Sequence, residues 1–231
     1  MKKRLIIICE GQTEANFINQ VLFPYLHEKL EIEAILVKTG ENPSGGDAKG
    51  GALTYARYSN EVCNLISRLD GNRLFITSFI DLYALDSSFP GFNESLRIQN
   101  SKQRVEFIES KVFESCTKKY KLLYNFIPFI MLHEYETLLF TDIQQLDWEF
   151  MEDEDEAKII SLVEQAASFN SPEEINYGTK TAPSKRIIAQ FPNYERLKKT
   201  VGVAMAERIG LTAMRQKCPH FNDWLSRLET L

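Results

Sequence analysis

The sequence predicts an α/β fold, with a mostly parallel central sheet flanked by helices on both faces and a helical C-terminal cap. Three observations carry this. Through residues 1–141, short apolar runs alternate with stretches whose apolar residues recur at helical spacing. Two runs, Leu5–Cys9 and Phe126–Leu132, are almost continuously apolar, as in strands buried on both faces. From Asp142 onward the pattern turns helical, with no obvious strand. Strand and helix in steady alternation require a parallel sheet covered on both sides. The chain therefore divides into an α/β core over 1–141 and a helical region over 142–231 packed on it.

Each element has its own signal. Arg4–Cys9 is a β-branched run that ends in the polar loop Glu10-Gly11-Gln12-Thr13. Glu14–Lys29 places Phe17, Ile18, Val21, Leu22 and Tyr25 on one helical face. Ile32–Thr39 alternates like a strand. The loop from Gly40 to Gly51 is glycine-rich but lacks the spacing of a phosphate loop; Lys49-Gly50-Gly51 reads as a flexible connection. Tyr55–Leu69 is a helix, Arg73–Ile80 a strand closed by Asp81, and Ser101–Lys118 a helix. Tyr124–Leu132 is the fourth strand, ending at His133-Glu134. In the second half, Asp153–Ala167 is an acidic amphipathic helix, Tyr194–Ile209 a basic one, and Asn222–Leu228 a short closing helix.

The bulk numbers exclude several classes. Of 231 residues, 44% are hydrophobic, enough to bury a core without disulfides. Cys9, Cys63, Cys116 and Cys218 are scattered, as reduced thiols of a cytoplasmic protein are. The apolar run after Met1-Lys2-Lys3-Arg4 stops at Glu10, too short for an export signal or a membrane span. A net charge of −5 argues against indiscriminate coating of nucleic acid. The charge is unevenly spread: eleven acidic residues face only Lys158 between Asp142 and Glu174, whereas nine Lys or Arg face only Glu195 and Glu207 between Lys180 and Lys217.

The chemistry is suggested by where the acids fall. Glu10, Asp81 and Glu134 each follow a strand, and in a parallel sheet the C-terminal strand ends share one rim. Carboxylates crowded there repel one another and raise one another's pKa unless a cation neutralises them. Oxygen ligands without a His/Cys cluster favour Mg²⁺ or Mn²⁺ over zinc. Acids at strand ends also serve as helix caps and solvated turns. Glu14, one helical turn past Glu10, suits either the metal shell or the stabilisation of its helix dipole. Of Glu134 and Glu136, the first is expected to reach the rim. His133 reads as a structural hydrogen-bonding residue, and His27 and His220 as remote from any acidic cluster.

Glu10-Gly11-Gln12-Thr13-Glu14 resembles the E-G-x-T-E motif of TOPRIM domains in OLD-type nucleases, whose first Glu, and often the one four residues later, bind divalent metal. Asp81 sits where TOPRIM domains carry the first Asp of D-x-D. Asp81-Leu82-Tyr83, Phe89-Pro90-Gly91, Ile127-Pro128-Phe129 through His133-Glu134-Tyr135-Glu136, Ala182-Pro183-Ser184-Lys185-Arg186 and Cys218-Pro219-His220-Phe221 resemble a bacterial family of TOPRIM-related proteins, domain of unknown function 4276. The resemblance implies a TOPRIM-like, Rossmann-like sheet and Mg²⁺- or Mn²⁺-dependent cutting of DNA or RNA phosphodiesters. It also implies prokaryotic defence beside an ABC/AAA-type ATPase. Tyr83 departs from the pattern where a second Asp is expected, leaving Asp86 or Glu134 to fill the vacancy.

On this reading Glu10, Glu14, Asp81 and Glu134 hold the metal. Lys185 and Arg186, after the turn-forming Ala182-Pro183-Ser184, face the developing phosphate charge. Their alternative is Ser184 as a helix cap with both cations solvated. Two rivals stand beside the nuclease. One is a non-catalytic regulatory or toxin-like subunit of the ATPase, which Tyr83 favours; the other is phosphotransfer with Asp81 as nucleophile. Self-association is left open by the sequence.

Overall fold

The computed structural model describes residues 2–37, 53–66, 73–120, 125–175 and 181–231. The Gly40–Gly51 loop, with Lys49-Gly50-Gly51, lies outside them. Strand β1 (Lys3–Cys9) leads into α1 (Gln12–Phe17), a wide π-helical turn at Ile18–Leu22 and α2 (Phe23–Leu26). The single helix expected over this stretch is thus widened in its middle. Pro24, at the start of α2, offers no N–H to the preceding turn, and a wider turn accommodates that loss. Next come β2 (Leu30–Leu36), α3 (Tyr55–Ile66), β3 (Leu74–Asp81), α4 (Phe92–Ser95) and α5 (Ser101–Tyr120).

The fourth predicted strand is two short ones, β4 (Phe126–Ile127) and β5 (Ile130–Met131), both parallel to β3. Pro128 interrupts the ladder because it has no N–H to give. Ser78 fills the gap with its side chain: its hydroxyl accepts from the Phe129 N–H at 3.0 Å and contacts the Phe129 carbonyl at 2.9 Å. The sheet order is β2-β1-β3-β4, with β5 also on β3, and every pairing is parallel.

Neighbouring residues of β3 show how the two faces are covered, since successive side chains point to opposite sides. Ser78 receives a hydrogen bond from Tyr58 of α3 at 3.0 Å. Thr77, on the other face, receives one from the Trp224 indole at 2.9 Å. Trp224 belongs to α10 (Pro219–Glu229), whose ring stacks on Phe129 at 4.5 Å and lies 5.4 Å from Phe79. Phe17 of α1 meets Phe79 at 5.4 Å on that same face. The C-terminal helices therefore close one side of the sheet with aromatic side chains.

The second half is helical, as expected. Two 3₁₀ segments, Tyr135–Thr141 and Ile143–Trp148, precede α6 (Asp155–Ala167), and α7 (Pro183–Gln190) follows. The basic helix is split into α8 (Tyr194–Leu197), a π-helical turn at Lys198–Gly202, and α9 (Val203–Lys217), which kinks at Gly210 where φ is +74°. Among the described residues no helix is long and apolar enough to cross a membrane.

Candidate functional site

Parallel register places the first two acids side by side. Cys9 of β1 pairs with Phe79 of β3, so Glu10 and Asp81 leave adjacent strands at the same edge. The Asp81 backbone N–H lies near enough to the Glu10 carboxyl to favour its charged form. At the end of β5, His133 adopts φ +63°, a left-handed turn uncommon outside glycine, and the chain reverses into the 3₁₀ segment carrying Glu134 and Glu136. Its carbonyl accepts the Tyr83 N–H at 3.1 Å, tying the turn to the segment after Asp81.

Asp81 reports the convergence. Its carboxyl is held well above the ordinary range, first by burial and then by the charges of Glu14, Glu10, Glu134 and Glu136. One oxygen, Oδ1, is buried and has no hydrogen-bond partner among the described residues. Glu10 is pushed up to about 7 by burial and by Glu14, against the Asp81 N–H, which works to lower it. Glu14 is also raised, burial leading; its Oε2 accepts the Gly11 N–H at 2.9 Å, closing the first turn of α1. Glu14 thus closes the first turn of its own helix and also lies within the electrostatic field of the rim. Cys9, just before Glu10, is fully buried, and burial followed by the Glu14 charge drives its thiol far above the usual value.

Glu134 is held from the second half of the chain. Ser184 gives it both its backbone N–H and its hydroxyl, the latter at 3.0 Å. Ser184 is therefore not a cap for α7; Ala182 starts that helix and Ser184 aims its first turn at a carboxylate. Burial and Glu136 still keep Glu134 raised against these bonds. Glu136, expected to turn away, reaches the group too and pairs with Lys198 at 3.1 Å. The 3₁₀ start turns the chain tightly enough for both to face the rim.

The cation of the site is Lys198. Burial works to lower its ammonium, but Glu136, Glu134 and Asp81 outweigh that and hold it above its ordinary value. The π-helical turn after α8 presents it, and Tyr135 fixes that turn by donating to the Gly202 carbonyl at 3.0 Å. The buried Tyr194 hydroxyl sits beside Glu136 without the alignment of a hydrogen bond. Burial, then Glu136, keeps that phenol protonated. Lys198 was hidden in the sequence among nine basic residues of a helical stretch.

The other predicted site residues go elsewhere. Arg186 donates to the Thr181 carbonyl and to Gln165 Oε1, both at 2.9 Å, and lies over the Phe169 ring. It braces α7 against α6. Lys185 is exposed on α7. Tyr83 is 38% exposed, and Asp86 is engaged by the Ser88 N–H and hydroxyl. His133 contacts the Glu173 carbonyl at 3.0 Å, and burial holds its ring down at about 4, hence neutral. His220 is a correction: far from standing apart from acids, its ring is 3.1 Å from Glu109 and its N–H donates to Glu173 at 2.9 Å.

Among the described residues no three His, Cys, Asp or Glu side chains are gathered tightly enough to hold a metal ion as they stand. The donor set is nonetheless all oxygen, and the orphaned Asp81 Oδ1 is a buried acceptor in need of a donor or a cation. That chemistry fits a hard divalent ion at Asp81 and Glu10, with Glu14 beside them. Glu134 and Glu136 are already answered by Ser184 and Lys198.

The site's segments lie within one family-wide match. No curated protein and no solved structure matches the chain. The model described as a domain of unknown function (DUF4276) matches residues 9–229, which takes in every residue of the rim, and the chain belongs to that family.

Proposed function

We propose that the protein is a Mg²⁺- or Mn²⁺-dependent, TOPRIM-like nuclease acting on nucleic-acid phosphodiesters. The supporting observation is the buried, unpartnered Asp81 Oδ1 amid four further carboxylates drawn from separate parts of the chain. A divalent ion there would supply charge to polarise a phosphate and to acidify an attacking water. Glu10, at the same sheet edge as Asp81, would help to hold that ion. Lys198, the ammonium beside Glu136, Glu134 and Asp81, could meet the developing phosphate charge, the role expected of Lys185 and Arg186. Exposed Lys185, Arg196 and Lys199 are free to meet a phosphate backbone before catalysis. The four free thiols suit a reducing compartment, and the reading places the protein in the cytoplasm, in prokaryotic defence with an ATPase partner.

Supercoiled plasmid and single-stranded RNA, each with Mg²⁺ or Mn²⁺, test this directly. Glu10→Ala and Asp81→Asn should each lower metal-dependent cleavage by about 100-fold or more while circular dichroism stays native. Wild-type cleavage in either variant defeats the proposal.

A non-catalytic regulatory subunit is the second reading. Tyr83 in place of a second Asp, and the prior engagement of Glu134 and Glu136, favour it. Calorimetric titration with Mn²⁺ separates the two, since an adaptor predicts no binding that Asp81→Asn removes.

A further inference from the structure

A cleft of about 340 Å³ opens between the segment 149–155 and the end of α7 with the residues after it. Its lining is mixed: the stacked rings of Phe150 and Phe191, 4.2 Å apart, and Met151 stand among polar groups. Met151 is 77% exposed, and Trp148, next in sequence to the lining residue Glu149, is 64% exposed. Single exposed hydrophobes need no explanation, but two within four residues at a cleft of excess charge mark a surface that a partner can cover.

The rim carries excess negative charge. Glu149, Glu152, Glu154 and Asp155 line the cleft. The local cations are already committed: Lys158 to Asp155 at 2.7 Å and Glu154 at 3.7 Å, and Arg208 to Glu149 at 3.0 Å. Glu152 and Asp153 remain exposed, with Glu154 80% exposed beside them.

We infer that this cleft docks a basic peptide segment of another protein, one that brings a bulky apolar side chain flanked by Lys or Arg. The apolar side chain would rest against Phe150 and Met151, and the flanking cations would meet Glu152 and Glu154. A second copy of this chain offers only Arg196 and Lys199 around the part-exposed Leu197, with Lys198 between them turned inward to Glu136, and is the competing occupant that sedimentation detects. The surface does not depend on the nuclease reading, although Gln190 at its wall ends the helix whose first turn holds Glu134.

Trp148 supplies the signal, because Trp224 is buried and hydrogen-bonded to Thr77. The full chain is titrated with the synthetic peptide GKRLLFRKG while tryptophan emission is followed. A saturable blue shift is expected, weakened about tenfold or more by Glu152→Lys with Glu154→Lys, and likewise by Met151→Asp, each with a native melting curve. Peptides with the apolar residues changed to serine, or with the basic residues changed to glutamate, should give no saturation. The inference is overturned by the absence of a saturable shift, by equal binding of the serine peptide, or by binding that neither variant alters. Sedimentation showing a dimer that Met151→Asp dissolves would also overturn it, assigning the face to a second copy.

Discussion

Two groups of buried carboxylates sit in this molecule under opposite conditions. Around α10, Glu173 accepts the His220 and Phe221 N–H groups at 2.9 and 3.0 Å, and Glu109 accepts the Ile130 N–H at 2.8 Å and meets the His220 ring. Each acid there is answered by donors, and Glu173 terminates a helix whose first N–H groups would otherwise be unpaired. At the rim, among the described residues, Lys198 faces several carboxylates, of which Glu134 and Glu14 have their own donors, while Asp81 Oδ1 has no hydrogen-bond partner. Burial alone does not mark a functional site. Burial without compensation is the more informative observation, because the fold bears a cost there that a bound cation would relieve.

The contrast is broken most forcefully at Glu173. Glu173→Ala leaves two buried N–H groups of α10 without acceptors and should destabilise the protein by about 3 kcal/mol in urea unfolding. A loss under about 1 kcal/mol would show that water replaces the carboxylate and that the region is not tied down as described. The rim should respond in the other direction. At pH 8 without divalent ions, Asp81→Asn removes a repelled charge and should stabilise by about 1 kcal/mol, while the thermal shift caused by Mn²⁺ disappears. Destabilisation instead would make Asp81 an ordinary structural acid.

Acidity gives a finer test. Glu10 is raised to about 7 in the fold, with Glu14, Glu134 and Asp81 raised alongside it. An acid whose folded pKa exceeds its unfolded value favours the fold while protonated. That stabilisation diminishes as pH climbs from the unfolded pKa through the folded one. The metal-free melting temperature should therefore fall by a few degrees between about pH 5 and pH 7, and millimolar Mg²⁺ should flatten the slope. A metal-free curve that rises over that window would mean the acids are compensated after all. The smallest effect belongs to Gly11→Ala. The φ there, −140°, suits alanine, but a Cβ would lie 2.9 Å from Glu14 Oε2. Displacing that carboxylate should cost about 1 kcal/mol and weaken Mn²⁺ binding, as calorimetry can measure.

The parts of this arrangement legible in the sequence are those set by strand ends. Glu10 and Asp81 follow apolar runs, and parallel pairing brings such ends together without further information. The α/β alternation and the helical second half follow from periodicity in the same way. Features that depend on local irregularity were not legible. Lys198 is aimed by a π-helical turn inside what reads as one basic helix, and Glu136 by a 3₁₀ start after the left-handed His133. Ser184 has the composition of a cap, yet its partner lies fifty residues earlier, at Glu134. The break at Pro128 divides what reads as one strand over Tyr124–Leu132, and the substitution of Ser78 for the missing ladder bond needed the tertiary structure.

Cys9 turns the geometry of the rim into something a chemist can time. Its sulfur is buried on the interior strand β1, paired on both sides by β2 and β3, and kept protonated, so it is inert to thiol reagents while that strand stays in place. Half-buried Cys63 on α3 should react first and provide an internal clock. The lag before Cys9 is labelled then measures how often the strand beneath Glu10 lifts away from its neighbours.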